Sequence, residues 1–258
     1  MRSFVIFSVL NCNYGIDIES VKRILPAQEL TDVPDVPSHI LGMFQYEDNV
    51  LKTLGFRKAI GEDGYEEELN RLFPKLKAEQ KAWLEALKHS IDTGSSFTKN
   101  SDPHKCQLGQ WIDSFHPDNV EVLSLMKKLS HYNQSLHTVA MEALQKRTSS
   151  IEEAQELMNV NVNDLYNKTM EYLQKVSALS SKVAAELQRC LIIEDKDGNA
   201  FGINIDAVDD IVHVDETELH EVKEEQHLGD FMNVAAILMQ ENKLVTIIKD
   251  IRLEKRSA

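Results

Sequence analysis

The sequence lacks any long apolar run. Its longest apolar stretch, Phe4 to Phe7 followed by Val9 and Leu10, is far shorter than the roughly 20 residues needed to cross a bilayer. The N-terminal region also has no sustained apolar segment followed by a small-residue cleavage site, which disfavours a secretory signal. We therefore expect a cytoplasmic protein with no membrane insertion.

Cysteine and positive charge are both scarce. The three cysteines, Cys12, Cys106 and Cys190, are odd in number and far apart, which disfavours a disulfide framework and fits a reducing compartment. The 28 basic residues face 42 acidic ones, a net charge of −14 over 258 residues. Such a chain repels polyphosphate backbones and anionic membrane surfaces. Nucleic acid is therefore not an expected partner.

Common catalytic motifs are missing as well. The sequence has no Gly-rich phosphate loop, no His-Glu-x-x-His motif and no convincing pairing of a nucleophile with a base. Acidic runs such as Glu66-Glu67-Glu68 are typical of solvated helix faces rather than of acid-base pairs. We predict that the protein is not an enzyme.

What is present divides into β-like and helical parts. Residues 1–61 and 189–258 contain short apolar runs separated by turn residues, which predicts strands such as Ile40–Tyr46 and Ala200–Ile205. Residues 62–188 are rich in Glu, Lys, Leu and Ala with apolar positions at helical spacing. Sixty-one residues of short strands would be marginally stable alone, so we predict one discontinuous β domain interrupted by a helical insert.

The helical part is expected to form four helices. A first helix should end at Thr93-Gly94, with Pro74 breaking off a short lead-in, and a second should run from near Cys106 to before Pro117. A third should span residues 119–147, and the capping box that begins at Ser150 should open a fourth helix reaching about Leu187. Long helices with brief connections favour a four-helix bundle, so the predicted fold class is α+β.

The two β parts resemble the halves of a CheW-like domain, the coupling adaptor of bacterial chemotaxis. The run from Gly42 to Gly61 matches without a gap the family's strand, turn, apolar strand and Leu-Arg-type ending. The segment Phe201–Val208 resembles its Gly-Leu-x-Val-Asp-x-Val element, and Leu244–Leu253 resembles its last strand. The resemblance implies two small β-barrels side by side, no catalysis, and binding to a CheA-type histidine kinase and to the cytoplasmic tip of chemoreceptors.

The resemblance places partner contacts in and beside one β-hairpin, at Phe44, Tyr46, Glu47 and Val50. The turn that holds Arg-Gly in the family is Glu47-Asp48 here. Replacing a cation by Glu47 reverses a local charge, and like charges that meet at an interface can cost several kcal/mol. This argues against receptor-tip binding in the usual mode; a turn that has changed at no functional cost is the alternative.

The helical part resembles the chemoreceptor zinc-binding (CZB) domain. The segment Cys106–Trp111 matches its Cys-x-Leu-Gly-x-Trp core, Trp83 matches the tryptophan of its first helix, and Leu136-His137 with Ala140 matches its last motif. In that family three histidines and the cysteine hold zinc, and the bundle commonly pairs with a second copy. The resemblance therefore implies homodimerisation through the insert.

Two of the four zinc-ligand positions do not carry ligand side chains. Counting from the motifs gives Gln80 and Asn133 where histidines would stand, so only Cys106 and His137 remain. Carboxamides are poor substitutes for imidazole on zinc. On helix geometry His131 and His89 lie on other faces, which leaves His104 as the flexible replacement and His116 as a weaker one.

Three interpretations of the insert stay open. If zinc is bound, Cys106 could sense oxidants or metal availability; if not, the four side chains form a hydrogen-bonded remnant of the site, or Cys106 is simply a buried thiol. The predicted function is a non-enzymatic signalling adaptor with an inserted sensory or dimerisation module. The alternative is a metal-sensing or redox-sensing protein that no longer joins receptor arrays.

Overall fold

The computed structural model describes residues 1–195 and 198–253, and for residues 223–225 it describes the backbone only. The chain divides into two compact units. One, the β unit, consists of residues 1–65 and 184–258; the other, the helical unit, consists of residues 66–183. These boundaries lie four and five residues from those predicted from the sequence, at residues 61 and 188.

The β unit contains two mixed sheets. The six-stranded sheet has the order β8-β1-β2-β11-β10-β9 and the five-stranded sheet has the order β3-β6-β7-β5-β4. Each sheet combines strands from both chain segments, and the parallel pairs β2–β11 and β5–β7 each join one strand from either segment. The strands are β1 (Arg2–Val9), β2 (Cys12–Asp17), β3 (Val21–Pro26), β4 (Ile40–Tyr46), β5 (Asn49–Gly55), β6 (Arg189–Glu194), β7 (Ala200–Ile205), β8 (Ala207–Val214), β9 (Leu219–Leu228), β10 (Met232–Gln240) and β11 (Lys243–Ile251).

Each sheet curves around apolar side chains of its own. In the five-stranded sheet the interior residues come from β4, β5 and β6, with Leu25 of β3 packed against them. The Arg23 guanidinium of β3 lies 6.0 Å from the centre of the Tyr46 ring of β4, so the two end strands approach each other. A larger core joins the two sheets, because alternate residues of a strand point to opposite faces; it includes Phe7, Phe56 and Phe201.

The strand β9 was not predicted from the sequence. Its residues, LHEVKEEQHL, contain few apolar side chains, and strand prediction relies on apolar alternation. β9 lies at the end of its sheet, where charged side chains are common because they discourage further pairing. The predicted turn at residues 195–199 includes residues 196 and 197, which lie outside the described residues; Gly198 has a φ of 83°, the left-handed conformation that glycine adopts at no cost.

The helices are α1 (Phe56–Ala59) in the β unit and, mainly in the helical unit, α2 (Tyr65–Thr93), α3 (Gln107–Ser114), α4 (Val120–Lys146), α5 (Ile151–Leu157), α6 (Asn163–Ser177) and α7 (Ser180–Glu186). Apolar residues of α2, α4 and α5 form one core, whose members include Leu87, Leu136 and Ala154. Asn119 and Ser150 cap α4 and α5 through side-chain bonds to backbone N–H groups. Among the described residues, no helix is long and apolar enough to span a membrane.

Two helix predictions were wrong. α2 continues through Pro74, because Pro74 is exposed while Phe73 and Leu76 on either side of it are buried in one continuous stripe. The fourth predicted helix is not continuous: a π-helical turn, Met158–Val162, separates α5 from α6, and the chain turns at residues 178–179 before α7. Asparagine and valine at the π turn are weak helix formers, and serines flank the later break.

Candidate functional site

Cys106 begins α3 and is held by two hydrogen bonds. As the N-cap residue its Sγ accepts the Gly109 backbone N–H at 3.2 Å, and its S–H donates to the Pro103 carbonyl oxygen at 3.2 Å. The first N–H groups of a helix have no partner within the helix, so the sulfur satisfies one of them. The thiol is 8% exposed and therefore lies just beneath the surface.

Gly109 allows this arrangement because the loop passes directly over it. A Cβ atom built at Gly109 would lie 1.6 Å from the Pro103 carbonyl oxygen and 3.3 Å from the Cys106 Sγ. Any side chain would push the loop away from the helix. This close approach gives the glycine of the Cys-x-Leu-Gly-x-Trp motif a structural role that is independent of any metal.

Helix α4 presents Asn133 and His137, which are 2% and 1% exposed. Residues four apart lie on the same face of a helix. The Asn133 Nδ2 lies 3.8 Å from the Cys106 Sγ and 3.5 Å from the Pro103 carbonyl oxygen. The His137 Nδ1 lies 2.9 Å from the Ser101 carbonyl oxygen. The loop that ends in Cys106 therefore contacts both side chains of α4.

Helix α2 supplies the third side of the cluster. The ring of Trp83 packs against the ring of His137 with centroids 4.6 Å apart, and its Nε1–H donates to the Asn100 carbonyl oxygen at 2.8 Å. Gln80, one turn earlier on α2, is 3% exposed. The structure thus brings Cys106, Asn133, His137 and Trp83 together by direct contacts and buries Gln80 beside Trp83 on α2.

The hydrogen bond to Ser101 fixes the tautomer of His137. A carbonyl oxygen only accepts, so Nδ1 carries the proton and the Nε2 of the neutral ring presents a lone pair. Burial lowers the pKa of His137, partly opposed by the bond to Ser101 and the charge of Asp102. The ring is therefore neutral near pH 7, the form in which imidazole binds metals.

Three buried acceptor atoms in the helical unit have no hydrogen-bond partner among the described residues: Gln80 Oε1, Asn133 Oδ1 and His137 Nε2. An unpaired buried polar atom costs about 1–3 kcal/mol. A well-packed apolar core would avoid this cost. Their occurrence on the buried faces of α2, which also carries Trp83, and of α4, with Asn133 in contact with Cys106, marks the cluster as a ligand-binding candidate.

The side chains do not fit a zinc centre. A closed zinc site takes four thiolate, imidazole or carboxylate ligands in a tetrahedron, whereas this cluster offers one thiol, one imidazole and two carboxamides. Asn133 turns its NH₂ group toward the sulfur, as a donor rather than as a ligand. Within the described parts of the chain, no group of three or more His, Cys, Asp and Glu side chains could hold a metal ion.

The histidines considered as replacements are placed elsewhere. The His104 side chain is exposed and forms a 2.8 Å bond with Asp113, which raises the His104 pKa and favours the protonated form. His89, His116 and His131 are exposed. The carbonyl groups of Asn100, Ser101 and Pro103 were not predicted as part of the site, because backbone acceptors in a polar loop leave no side-chain pattern in the sequence.

The predicted partner-binding residues lie in the hairpin of β4 and β5. Val50 is 60% exposed, and Glu47 lies in the turn with a φ of 51°. Tyr46 is half-buried beneath Arg23, which the sequence analysis did not select. Phe44 is 6% exposed and packs inside the five-stranded sheet. Val50 pairs with Gln45, so its side chain lies on the opposite face of the hairpin from Phe44 and Tyr46. The exposed residues among those selected are Glu47 and Val50.

Comparison with known proteins bears on the β unit. Residues 3–74 match the family model of the CheW-like domain, a range that covers β1 to β5, α1 and the start of α2. Among solved structures, the scaffolding protein TtCheW from Thermoanaerobacter tengcongensis is similar over 98% of this chain and 91% of its own, with 13% sequence identity and a TM-score of 0.46. No curated protein matches the chain. The likeness to the CheW-like domain therefore rests on residues 3–74.

Proposed function

We propose that this protein is a non-enzymatic chemotaxis adaptor whose β unit couples receptors to a CheA-type histidine kinase in the cytoplasm. The observation that carries the proposal is the CheW-like match over residues 3–74, a range that includes the first five strands of the β unit. CheW-like domains act as scaffolds rather than as catalysts, which agrees with the lack of catalytic motifs in the sequence.

The β4–β5 hairpin is the proposed partner surface. An apolar side chain as exposed as Val50, which pairs with Gln45 on the outer face of the hairpin, provides the kind of anchor that interfaces bury. Glu47 places a negative charge in the turn between the two strands, so the surface suits a kinase segment with a positive or neutral rim better than an acidic receptor tip. We therefore expect kinase binding to be stronger than receptor-tip binding.

Retention of a CheA-type kinase on the immobilised full-length chain tests this function. We expect the kinase to be captured, and Val50→Asp to reduce capture at least about tenfold because a charge would be buried at the interface. Val120→Asp is the matched control, since Val120 is 80% exposed in the helical unit and its replacement should leave capture unchanged. Failure of the unaltered chain to retain kinase would refute the proposal.

The helical unit is proposed to be a CZB-like sensory or dimerisation module. The Cys106–Trp111 segment and the positions of Trp83 and His137 support this, because the structure groups the same residues around one buried cluster. Light scattering on the full-length chain tests dimerisation. A dimer that becomes monomeric when the helical unit is replaced by a flexible linker supports the assignment, whereas a monomeric full-length chain opposes it.

A second function is favoured by the buried pair of Cys106 and His137. These are the two side chains of the cluster that bind metals strongly, and a metal-sensing or redox-sensing protein that no longer joins receptor arrays would need only them. Metal binding without kinase capture in the experiments above and below would favour this function over the adaptor.

A further inference from the structure

The donor set around Cys106 suits a different class of metal ion from zinc. We propose that the Cys106 thiolate and the His137 Nε2 bind one soft monovalent ion, Cu⁺ in the cell, as a two-coordinate site inside the helical unit. This assignment rests on the cluster itself and does not depend on whether the β unit binds a kinase.

His137 is already oriented as a ligand. Its Nδ1–H donates to the Ser101 carbonyl oxygen, and its Nε2 is buried with no hydrogen-bond partner among the described residues. In metal sites the second ring nitrogen of a ligating histidine commonly bonds a carbonyl or carboxylate in this way, which fixes the ring and its lone pair. Packing against Trp83 further restricts the ring.

Cys106 must lose its proton when it binds the ion. Its S–H proton, now donated to the Pro103 carbonyl oxygen, would leave to solvent as the sulfur–metal bond forms, so one proton is released for each ion bound. The resulting thiolate would keep the Gly109 N–H as a donor. The Asn133 NH₂, 3.8 Å from the sulfur, would supply a second one. Asn133 thus supports the thiolate and is not a third ligand.

The sulfur and the imidazole share one wall of the cluster. Asn133, which contacts the sulfur, and His137 are one turn apart on the same face of α4. The carbonyl groups of Ser101 and Pro103 in a single loop engage the histidine and the cysteine, respectively. The proposed ion would lie at this contact between the loop and α4, with the Cys106 sulfur and the His137 Nε2 as its two ligands.

Coordination number and charge both favour a monovalent ion. Zinc requires four ligands, whereas Cu⁺ is soft, prefers thiolate and imidazole, and is stable with two. Cu⁺ with one thiolate and one neutral imidazole has no net charge, but Zn²⁺ with the same ligands leaves one positive charge. An uncompensated buried charge is costly, and Gln80 and Asn133 are both neutral.

The test is an anaerobic Cu⁺ titration of the full-length chain against a chromogenic Cu⁺ chelator, with Zn²⁺ titrated in parallel. All proteins carry Cys12→Ser, because Cys12 is exposed and would bind soft ions on its own. Cys190 is constant throughout; burial raises the pKa of its thiol to about 12 and keeps it protonated. We expect one Cu⁺ per chain, one proton released per ion, and weaker binding of Zn²⁺.

Two ligand variants and one gain-of-function variant complete the experiment. Cys106→Ser and His137→Gln should each weaken Cu⁺ binding at least about 100-fold. Gln80→His with Asn133→His adds two imidazoles and should raise Zn²⁺ affinity by a similar or larger factor. Tight Zn²⁺ binding by the chain with unaltered cluster, Cu⁺ binding that survives Cys106→Ser, or no Cu⁺ binding would each overturn the proposal.

X-ray absorption at the copper edge makes the test independent of whether the variants fold. One sulfur and one nitrogen at the ion are expected in the chain that lacks only Cys12, and two sulfurs or oxygen ligands alone would overturn the assignment. Kinase capture by the copper-loaded and copper-free chains is measured on the same samples. If the chain binds no copper but still captures the kinase, only the copper site is rejected. If it binds copper but does not capture the kinase, only the adaptor function is rejected.

Discussion

At the residue scale, Gly109 is a position where packing and helix propensity predict opposite effects of a substitution on stability. Replacing an exposed glycine in a helix by alanine stabilises the helix by up to about 1 kcal/mol. At Gly109 the added Cβ would overlap the Pro103 carbonyl oxygen, so we expect Gly109→Ala to lower the free energy of unfolding by about 3 kcal/mol instead.

Tryptophan fluorescence during urea unfolding measures this change. Both tryptophans, Trp83 and Trp111, lie in the helical unit, so the signal reports that unit. Gln110→Ala is the matched control, because Gln110 is exposed beside Gly109 and its replacement should alter stability by less than about 0.5 kcal/mol. A stabilised Gly109→Ala variant would show that the loop does not lie against α3.

Thiol reactivity also depends on the surroundings of a single residue, because only the thiolate reacts and burial changes the thiol pKa. Burial raises the pKa of Cys190 from its ordinary value of 9.0 to about 12, so at pH 8 only about one molecule in ten thousand carries a thiolate there. Exposed Cys12 should react rapidly with a maleimide and Cys190 should not. Mass spectrometry of the labelled native and urea-unfolded protein checks this, with all three cysteines reacting in urea. Labelling of native Cys190 as fast as Cys12 would contradict its burial.

The raised pKa of Cys190 also determines the direction in which stability changes with pH. Between pH 9 and about 12 the folded Cys190 retains a proton that the unfolded chain has lost. The folded state therefore binds more protons in that window, and this thiol makes the protein less stable as the pH rises above 9. Below pH 9 both states are protonated at Cys190 and it contributes no pH dependence.

At the scale of elements, α2 continues through a residue that usually ends helices. Pro74 removes one backbone hydrogen bond, to the carbonyl of Asn70, and an interior proline costs about 3 kcal/mol. Its exposed ring touches solvent, so removing it opens no cavity. We expect Pro74→Ala to stabilise the helical unit by about 1–3 kcal/mol, measured by thermal unfolding followed by circular dichroism. Lys75→Ala, at the next exposed position, should change stability little, and a Pro74→Ala variant with reduced stability would indicate a required distortion.

Element prediction from this sequence succeeded where local signals agree with packing. Ile40–Tyr46 and Ala200–Ile205 have the predicted bounds, because apolar alternation and flanking turns both define them. The predicted helix break at Pro74 was wrong because the buried apolar stripe on both sides of it overrides the local propensity of proline. The edge strand β9 and the π turn lack the apolar period on which prediction depends.

The sequence could likewise indicate only part of the candidate site. The motif spacing predicted that Cys106, Asn133 and His137 would come together; the Asn133 Nδ2 lies 3.8 Å from the Cys106 Sγ, and His137 follows one turn later on the same face of α4. The sequence could not indicate the direction of the Asn133 amide or the carbonyl partner of His137, because both depend on the path of one loop. The direction of the amide makes Asn133 a donor to the sulfur and not a metal ligand. The bond to Ser101 leaves the His137 Nε2 as the ring nitrogen that is able to bind an ion. Together these details favour the proposed two-coordinate site over a four-coordinate one.

At the scale of the whole molecule, the β unit depends on contacts between segments that are far apart in the chain. Arg57 follows β5, and Asp206 lies between β7 and β8, 149 residues later. The two side chains form a bidentate ion pair at 2.8 and 2.7 Å, with 7% and 13% of the side chains exposed. Asp206 also accepts the Leu10 backbone N–H at 2.9 Å, so three regions of the chain meet at one carboxylate.

Breaking this pair should destabilise the β unit as a whole. Arg57→Gln leaves a buried carboxylate without its cation, which costs about 3–5 kcal/mol, and the guanidinium also packs 3.6 Å from the centre of the Tyr65 ring. Amide hydrogen exchange is the measurement, because it resolves the β unit from the helical unit. We expect faster exchange throughout both sheets and unchanged exchange in α4, since residues 66–183 form a separate unit.

The control is the exposed ion pair of Arg2 and Asp17, whose side chains are 45% and 31% exposed. Exposed pairs contribute about 0–1 kcal/mol, so Arg2→Gln should leave exchange in the β unit almost unchanged. If Arg57→Gln accelerated exchange only around α1, the two halves of the β unit would be joined by strand pairing alone. Acceleration that reached β1, β7 and β11 together would mean that a β unit interrupted by the 118 residues of the helical unit, 66–183, is held closed partly by this buried charge pair.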